Sequence, residues 1–226
     1  MENKYFSITI DGPAGSGKST LANLFAQKFD GFTYVNTGSM FRAIAYYLKQ
    51  NNINYNNELE IEKNLNKINI ELENDNVYLI QNNNKEDISN YIREPEISKI
   101  SSQIAQYNCV REKLLNLQRE IANKQNVIMD GRDIGTKVLP NANIKIFLVA
   151  DIAQRAIRRQ KQLLEQNIIV DLESIENEIK QRDENDANRK NAPLIKPSDA
   201  FVIDTTNITI EDTLNQIINL FVNYKK

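Results

Sequence analysis

The chain of 226 residues carries 28 lysines and arginines against 30 aspartates and glutamates, has no histidine, and contains one cysteine, Cys109. The near-neutral balance excludes a general nucleic-acid binder, whose affinity needs a large basic surplus. The missing histidine excludes Ser-His-Asp catalysis and the usual zinc sites. A lone cysteine forms no intrachain disulfide, so a reducing, cytoplasmic compartment is the expectation, with Cys109 a buried or semi-buried spectator rather than a nucleophile. No stretch is apolar for the roughly eighteen residues that a membrane span needs, and Met1-Glu2-Asn3-Lys4 has no signal-peptide architecture.

In chain order, the β-branched and aromatic run Phe6–Ile10 reads as a buried strand. Gly12-Pro13-Ala14-Gly15-Ser16-Gly17-Lys18-Ser19 follows, a complete G-x-x-x-x-G-K-[ST] sequence. Thr20 and the apolar face Leu21, Leu24 and Phe25 then open a helix over about 18–29. Strand, glycine loop and helix form the context that gives this motif its meaning. Backbone N–H groups of the loop and the helix N-terminus receive the phosphates of a nucleoside triphosphate. Lys18 reaches the β- and γ-phosphates, and the Ser19 hydroxyl is placed for Mg²⁺.

Phe32–Val35 reads as the second strand. Asn36-Thr37-Gly38-Ser39-Met40-Phe41-Arg42 leads into a helix over 38–50, with Thr37 or Ser39 as its cap and Arg42 one turn in. Ile68–Leu72 alternates with period two, and Val77–Ile80 follows the polar Glu73-Asn74-Asp75-Asn76, which fits a β-hairpin. Ile97, Ile100 and Ile104, then Val110, Leu114, Leu117 and Ile121, recur at helical spacing. This stretch therefore reads as a hairpin-bearing insertion that returns to the core by two helices.

Val127–Met129 is a third strand, ending at Asp130, a carboxylate that can hold Mg²⁺ opposite Ser19. Gly131 frees the turn that places Arg132 and Asp133. Ile144–Val149 and Phe201–Ile203 complete five strands, with helices over 151–166, 171–190 and 209–224. The alternation predicts an α/β fold, a parallel five-stranded sheet with helices on both faces, whose ligands bind beyond the carboxyl ends of the strands. The charged segment Arg182-Asp183-Glu184-Asn185-Asp186-Ala187-Asn188-Arg189 has Arg182, Asp186 and Arg189 near one helical face. It reads either as an i,i+4 pair on a solvated helix or as a flap closing over a phosphate site. Arg42, Arg132, Arg182 and Arg189 all fall in segments near the catalytic end of the sheet. Phosphoryl transfer between two nucleotides needs that much positive charge, and a hydrolytic switch needs less.

These residues resemble the bacterial cytidylate kinase family, within the nucleoside monophosphate kinases. The resemblance covers nearly the whole chain and rests on ITIDGPAGSGKST at 8–20, NTGSMFRA at 36–43, SSQIA at 101–105, VRE at 110–112, MDGRDIGT at 129–136, KIFLVA at 145–150 and RDENDANRKNAPL at 182–194. It implies one P-loop kinase domain over 1–226, with a monophosphate-binding insertion at about 60–100 and a helical lid at about 155–190. It implies that residues Gly12 to Thr20 bind ATP and that Ser19 and Asp130 hold Mg²⁺. Ser102, Arg111 and Asp133 read the cytosine base, Arg42, Arg132 and Arg189 contact the monophosphate, and Arg182 and Asp186 contact the sugar. Thr37 is a further acceptor contact, and Lys18, Arg132, Arg42 and Arg189 form the catalytic set. The implied reaction transfers the γ-phosphoryl group of ATP to CMP or dCMP, carried out by a cytoplasmic monomer with neither nucleic acid nor membrane as partner. The alternatives are a nucleotide-dependent switch and a P-loop kinase of the UMP or shikimate type. Two departures stand out: Asn36 and Phe41 where the family often has aspartate and tyrosine, and Asn185 and Ala187 where relatives carry flap arginines. Arg155, Arg158 and Arg159 are candidates for donor-side charge.

Overall fold

Five strands build the central sheet in the order β2-β6-β1-β7-β8: β1 (Ser7–Asp11), β2 (Phe32–Asn36), β6 (Asn126–Gly131), β7 (Ile144–Val149) and β8 (Phe201–Asp204). The computed structural model describes residues 4–73, 76–165 and 167–224. β1 pairs in parallel with β6 and β7, and β7 pairs in parallel with β8. β1 is buried along its whole length, which is why its sequence reads as an unbroken strand. The result is the α/β fold with a five-stranded sheet that the alternation of strands and helices predicts.

The chain divides into two compact units, one of residues 1–34 and 125–226, the other of residues 35–124. In the first, Ile8, Ile10, Leu21, Phe25, Ile128, Ile146, Leu148, Ile217 and Phe221 form one core cluster. Phe25 of α1 (Lys18–Lys28) meets Phe221 of α8 (Ile210–Tyr224) edge to face at 5.4 Å between ring centroids. Truncating Phe25 to Ala would cost about 3–5 kcal/mol. α6 (Ile152–Glu165) and α7 (Leu172–Asn188) pack through Ala156, Leu163, Ile175 and Ile179. The charged flap is thus the polar end of a packed helix.

The second unit holds α2 (Thr37–Gln50), α3 (Glu58–Leu65), β3 (Ile68–Glu73), β4 (Asn76–Gln81), β5 (Asn84–Asp87), α4 (Pro95–Ile104) and α5 (Asn108–Ala122). The expected hairpin is β3 with β4, antiparallel, and Asn74 and Asp75 of its turn lie outside the described residues. A third strand, β5, joins β4. Its Asn-Lys-Glu-Asp is exposed throughout and carries no apolar signal. What makes it a strand is the turn before it. Asn82 and Asn83 sit at φ 51° and 62°, the left-handed pair that a tight hairpin needs and asparagine tolerates. α3 also went unpredicted from the sequence, because only Ile61 and Leu65 are buried among its eight residues.

Candidate active site

The loop after β1 is shaped by close packing and by bonds between chain atoms. At Gly12 a Cβ would collide with the Leu148 carbonyl oxygen, so only glycine lets the loop leave the sheet there. The Ser16 hydroxyl donates to the Pro13 carbonyl at 3.0 Å, and the Thr205 hydroxyl donates to the Ser16 carbonyl at 3.2 Å. Lys18 is 5% exposed and its ammonium donates to the Pro13 carbonyl at 2.6 Å. Burial first, then the positive charge of Arg132, holds that ammonium well below the usual lysine range. A polyanion beside it reverses that balance, which is what a triphosphate supplies.

Asp130 is the last residue but one of β6, which runs one residue further than the sequence suggested. Its Oδ2 accepts from the Ser19 hydroxyl at 2.7 Å, and its Oδ1 accepts from the Tyr34 hydroxyl at 2.9 Å. Ser19 and Asp130 are therefore adjacent hard oxygen donors. Among the described residues there is no cluster of three or more acidic, histidine or cysteine ligands. One carboxylate and one hydroxyl fit Mg²⁺, which keeps several waters and is shared with phosphates, and do not make an all-protein cage.

Gly131 does not form the expected turn but closes β6 in register with Asp11, and just beyond it the structure gathers Arg132, Asp133, Asp186 and Arg189. Arg132 Nε donates to Asp186 Oδ2 at 2.7 Å, and Arg189 Nη1 lies 3.4 Å from Asp186 Oδ1. Arg189 Nη2 lies 3.2 Å from Asp133 Oδ1. Burial alone would raise the Asp186 carboxyl; Arg132, with Arg189 and Arg182 behind it, outweighs that and holds it below the usual carboxylate range. Asp186 is thus paired with Arg132 of the segment after β6 and with Arg189, the residue that caps the end of its helix. Arg182, half-buried on α7, is part of the same electrostatic neighbourhood.

In the second unit, Thr37 is the buried first residue of α2, and Arg42 lies one turn further along. The cap of α2 corrects the sequence reading: neither Thr37 nor Ser39 caps it. Asn36 does, accepting from the Ser39 N–H at 3.0 Å. Asparagine at this position satisfies a helix N-terminus as well as aspartate. Ser102 is exposed on α4. Arg111 of α5 donates to the Ala105 carbonyl at 2.9 Å and lies over the Phe41 ring, 5.5 Å from its centroid. Phenylalanine keeps the aromatic face that this cation uses, so the absent tyrosine hydroxyl costs nothing in that contact.

The family model described as "Cytidylate kinase" matches residues 8–223. The chain belongs to the cytidylate kinase family. A cytidylate kinase from Fusobacterium nucleatum is 50% identical over 210 residues, covering 93% of this chain and 94% of the relative. One from Alkaliphilus oremlandii is 46% identical over 217 residues, covering 96% and 98%. A crystal structure of an uncharacterized protein from Eubacterium ventriosum shares the fold with a TM-score of 0.56 at 16% identity, covering 97% of this chain and 99% of that one. No helix among the described residues is long and apolar enough to cross a membrane.

Sequence reasoning missed four residues around this kinase loop. Asp11 is buried and accepts two backbone N–H groups. Tyr34 faces Asp130, a contact that no periodicity in β2 announces. Asp183 pairs with Arg155 at 2.7 Å. Thr205 closes on Ser16. Arg155, a candidate for donor-side charge, is 3% exposed and donates to the Ala14 and Ala150 carbonyls at 3.0 Å each. Arg158 is turned to Thr205. Cys109 is half-buried, and burial pushes its thiol up to about 11, so it stays neutral and is no nucleophile.

Proposed function

We propose that this chain transfers the γ-phosphoryl group of ATP to CMP or dCMP, giving ADP and CDP or dCDP. The observation that carries the reading is the cluster of Arg132, Asp133, Asp186 and Arg189 beyond β6, the strand next to the phosphate-loop strand, in a chain of the cytidylate kinase family. Residues Gly12 to Thr20 take the donor phosphates. Mg²⁺, held by Ser19 and Asp130 with the phosphates, would neutralise charge on the transferring group. Arg132 and Arg189, with Arg182 and Asp186 for the sugar, take the acceptor in exchange for their present carboxylate partners. Asp133 accepts from the cytosine N4 amino group. Thr37, Arg42, Ser102 and Arg111 are assigned to the same substrate on the family motifs alone.

No strong general base is called for, because the acceptor is already an anionic phosphate oxygen. The work is positioning, charge neutralisation and exclusion of water, for which the segment 155–190 is the proposed lid and 60–100 the monophosphate-binding part of a single kinase domain. The proposed enzyme is a cytoplasmic monomer whose partners are two small nucleotides, and its near-neutral charge argues against nucleic acid as a partner. A coupled ADP-release assay with Mg·ATP and a panel of monophosphates tests this. Turnover only with CMP or dCMP supports it. ADP release without an acceptor, or equal turnover with UMP, overturns it.

A further inference from the structure

Asp11 is the last residue of β1 and is 1% exposed. Its backbone pairs across the sheet with Gly131 of β6. Its side chain reaches the same segment again, three and four residues further on: Oδ1 accepts from Ile134 N–H at 2.8 Å and Oδ2 from Gly135 N–H at 2.7 Å. Arg132 and Asp133 are the two residues suspended between these anchors. The Asp133 carbonyl is held as well, accepting from Lys137 N–H at 2.8 Å in the five-residue helical turn Ile134–Val138.

The second anchor is pressed as close as backbone allows. A Cβ on Gly135 would stand 3.0 Å from Thr9 Oγ1, 3.1 Å from Pro197 Cγ and 3.3 Å from Asp11 Oδ2. Two neighbouring N–H donors call for two acceptor oxygens, which only a carboxylate supplies at this length; an asparagine would turn its NH₂ against one of them. The burial is costly, since desolvation raises this carboxyl to about 6 against the two N–H groups that lower it.

We propose that Asp11 is the positioning residue of the acceptor site: its carboxylate clamps the Ile134 and Gly135 amides and so fixes the direction in which Asp133 and Arg132 leave the chain. The proposal rests on the reading of Asp133 as the cytosine reader, and it makes base selection depend on a residue that touches no substrate. Because Asp11 also precedes Gly12, the same residue joins the start of the donor loop to the acceptor turn.

The test compares kcat and KM for CMP, UMP and ATP in the wild type and in Asp11→Asn, Gly135→Ala and Asp133→Ala. Asp11→Asn is expected to raise KM for CMP and to lower the CMP-over-UMP preference, each by about tenfold or more, with KM for ATP within about twofold. Gly135→Ala, which wedges a methyl group into the clamp, shifts the same two quantities in the same direction and decides the matter if Asp11→Asn does not fold. A lower melting temperature with KM for CMP and base preference within about twofold of wild type would mean that the clamp serves stability only, and the proposal fails. If Asp133→Ala itself leaves the preference intact, the base-reading assignment fails. If Asp133→Ala abolishes the preference while the clamp variants keep it, the role of Asp11 alone is overturned.

Discussion

The phosphate loop and the polar end of α7, the two halves of the proposed nucleotide site, are held in shape in opposite ways. The loop takes its shape from bonds that involve its own backbone, with Ser16 on Pro13, Thr205 on Ser16 and Arg155 on Ala14. The end of α7 takes its shape from ion pairs, Arg132 with Asp186 and Arg189 with Asp133 and Asp186. The loop's framework rests on backbone carbonyl acceptors, with Lys18 as its one charged side chain. The arginine cluster is built from the cations that an acceptor phosphate would claim, so binding there is an exchange of partners. A donor site of the first kind is pre-organised; an acceptor site of the second kind is tuned by the carboxylates that compete for it.

Removing the one charged side chain of the loop breaks the comparison most severely. Lys18→Ala is expected to lower kcat by on the order of 10³-fold in the coupled assay, with the fold retained by circular dichroism. Asp186→Asn strikes the other region: it removes the negative charge shared by Arg132 and Arg189. KM for CMP is expected to change by about tenfold and KM for ATP by less than about twofold in steady-state kinetics.

Acidification separates the two regions more gently. Asp11 faces Asp133, Lys18 and the amides of Ile134 and Gly135, and its carboxyl sits at about 6 against an ordinary 3.8. The folded chain therefore takes up a proton before the unfolded one as pH falls. The stability linked to this group is fully present below about 3.8 and is lost as pH rises through about 6. Cytosine selection runs the other way, since only the ionised clamp accepts both N–H groups. From pH 7 to 5, CMP-over-UMP preference should fall several-fold in wild type and stay flat in Asp11→Asn. The substrate phosphate titrates in the same window, so the difference between the two proteins is the readout. The smallest effect is expected from Tyr34→Phe, which frees Asp130 Oδ1 from its phenol contact. The Mg²⁺ concentration for half-maximal rate should shift about two- to threefold, and a matching shift in Mg²⁺-dependent nucleotide binding, followed by calorimetry, supplies a reading apart from turnover.

The central sheet was legible because β1, β6 and β7 are largely buried and rich in β-branched and apolar residues. The loop was legible because its glycines and lysine answer to fixed demands of a phosphate. The second unit was read less fully. β5 has no apolar residue, and its existence depends on a left-handed asparagine pair, which composition alone does not reveal. Among site residues, Lys18, Asp130, Arg132 and Asp186 sit in short motifs, so spacing found them. Asp11, Tyr34 and Asp183 act through contacts 96 or more residues away for the first two and 28 away for the third, and one-dimensional periodicity carries no such distance. A carboxylate closing a strand of β-branched and apolar residues was the available signal for Asp11.

Arg155 spends its guanidinium on the Ala14 carbonyl, the Ala150 carbonyl and Asp183 of α7. A lysine there has a single nitrogen and cannot span three acceptors that lie in different directions. Positions 155 and 183 are therefore expected to drift as a pair through evolution: a lineage that gives up the arginine gives up the aspartate with it, and its phosphate loop and α7 become free to diverge independently.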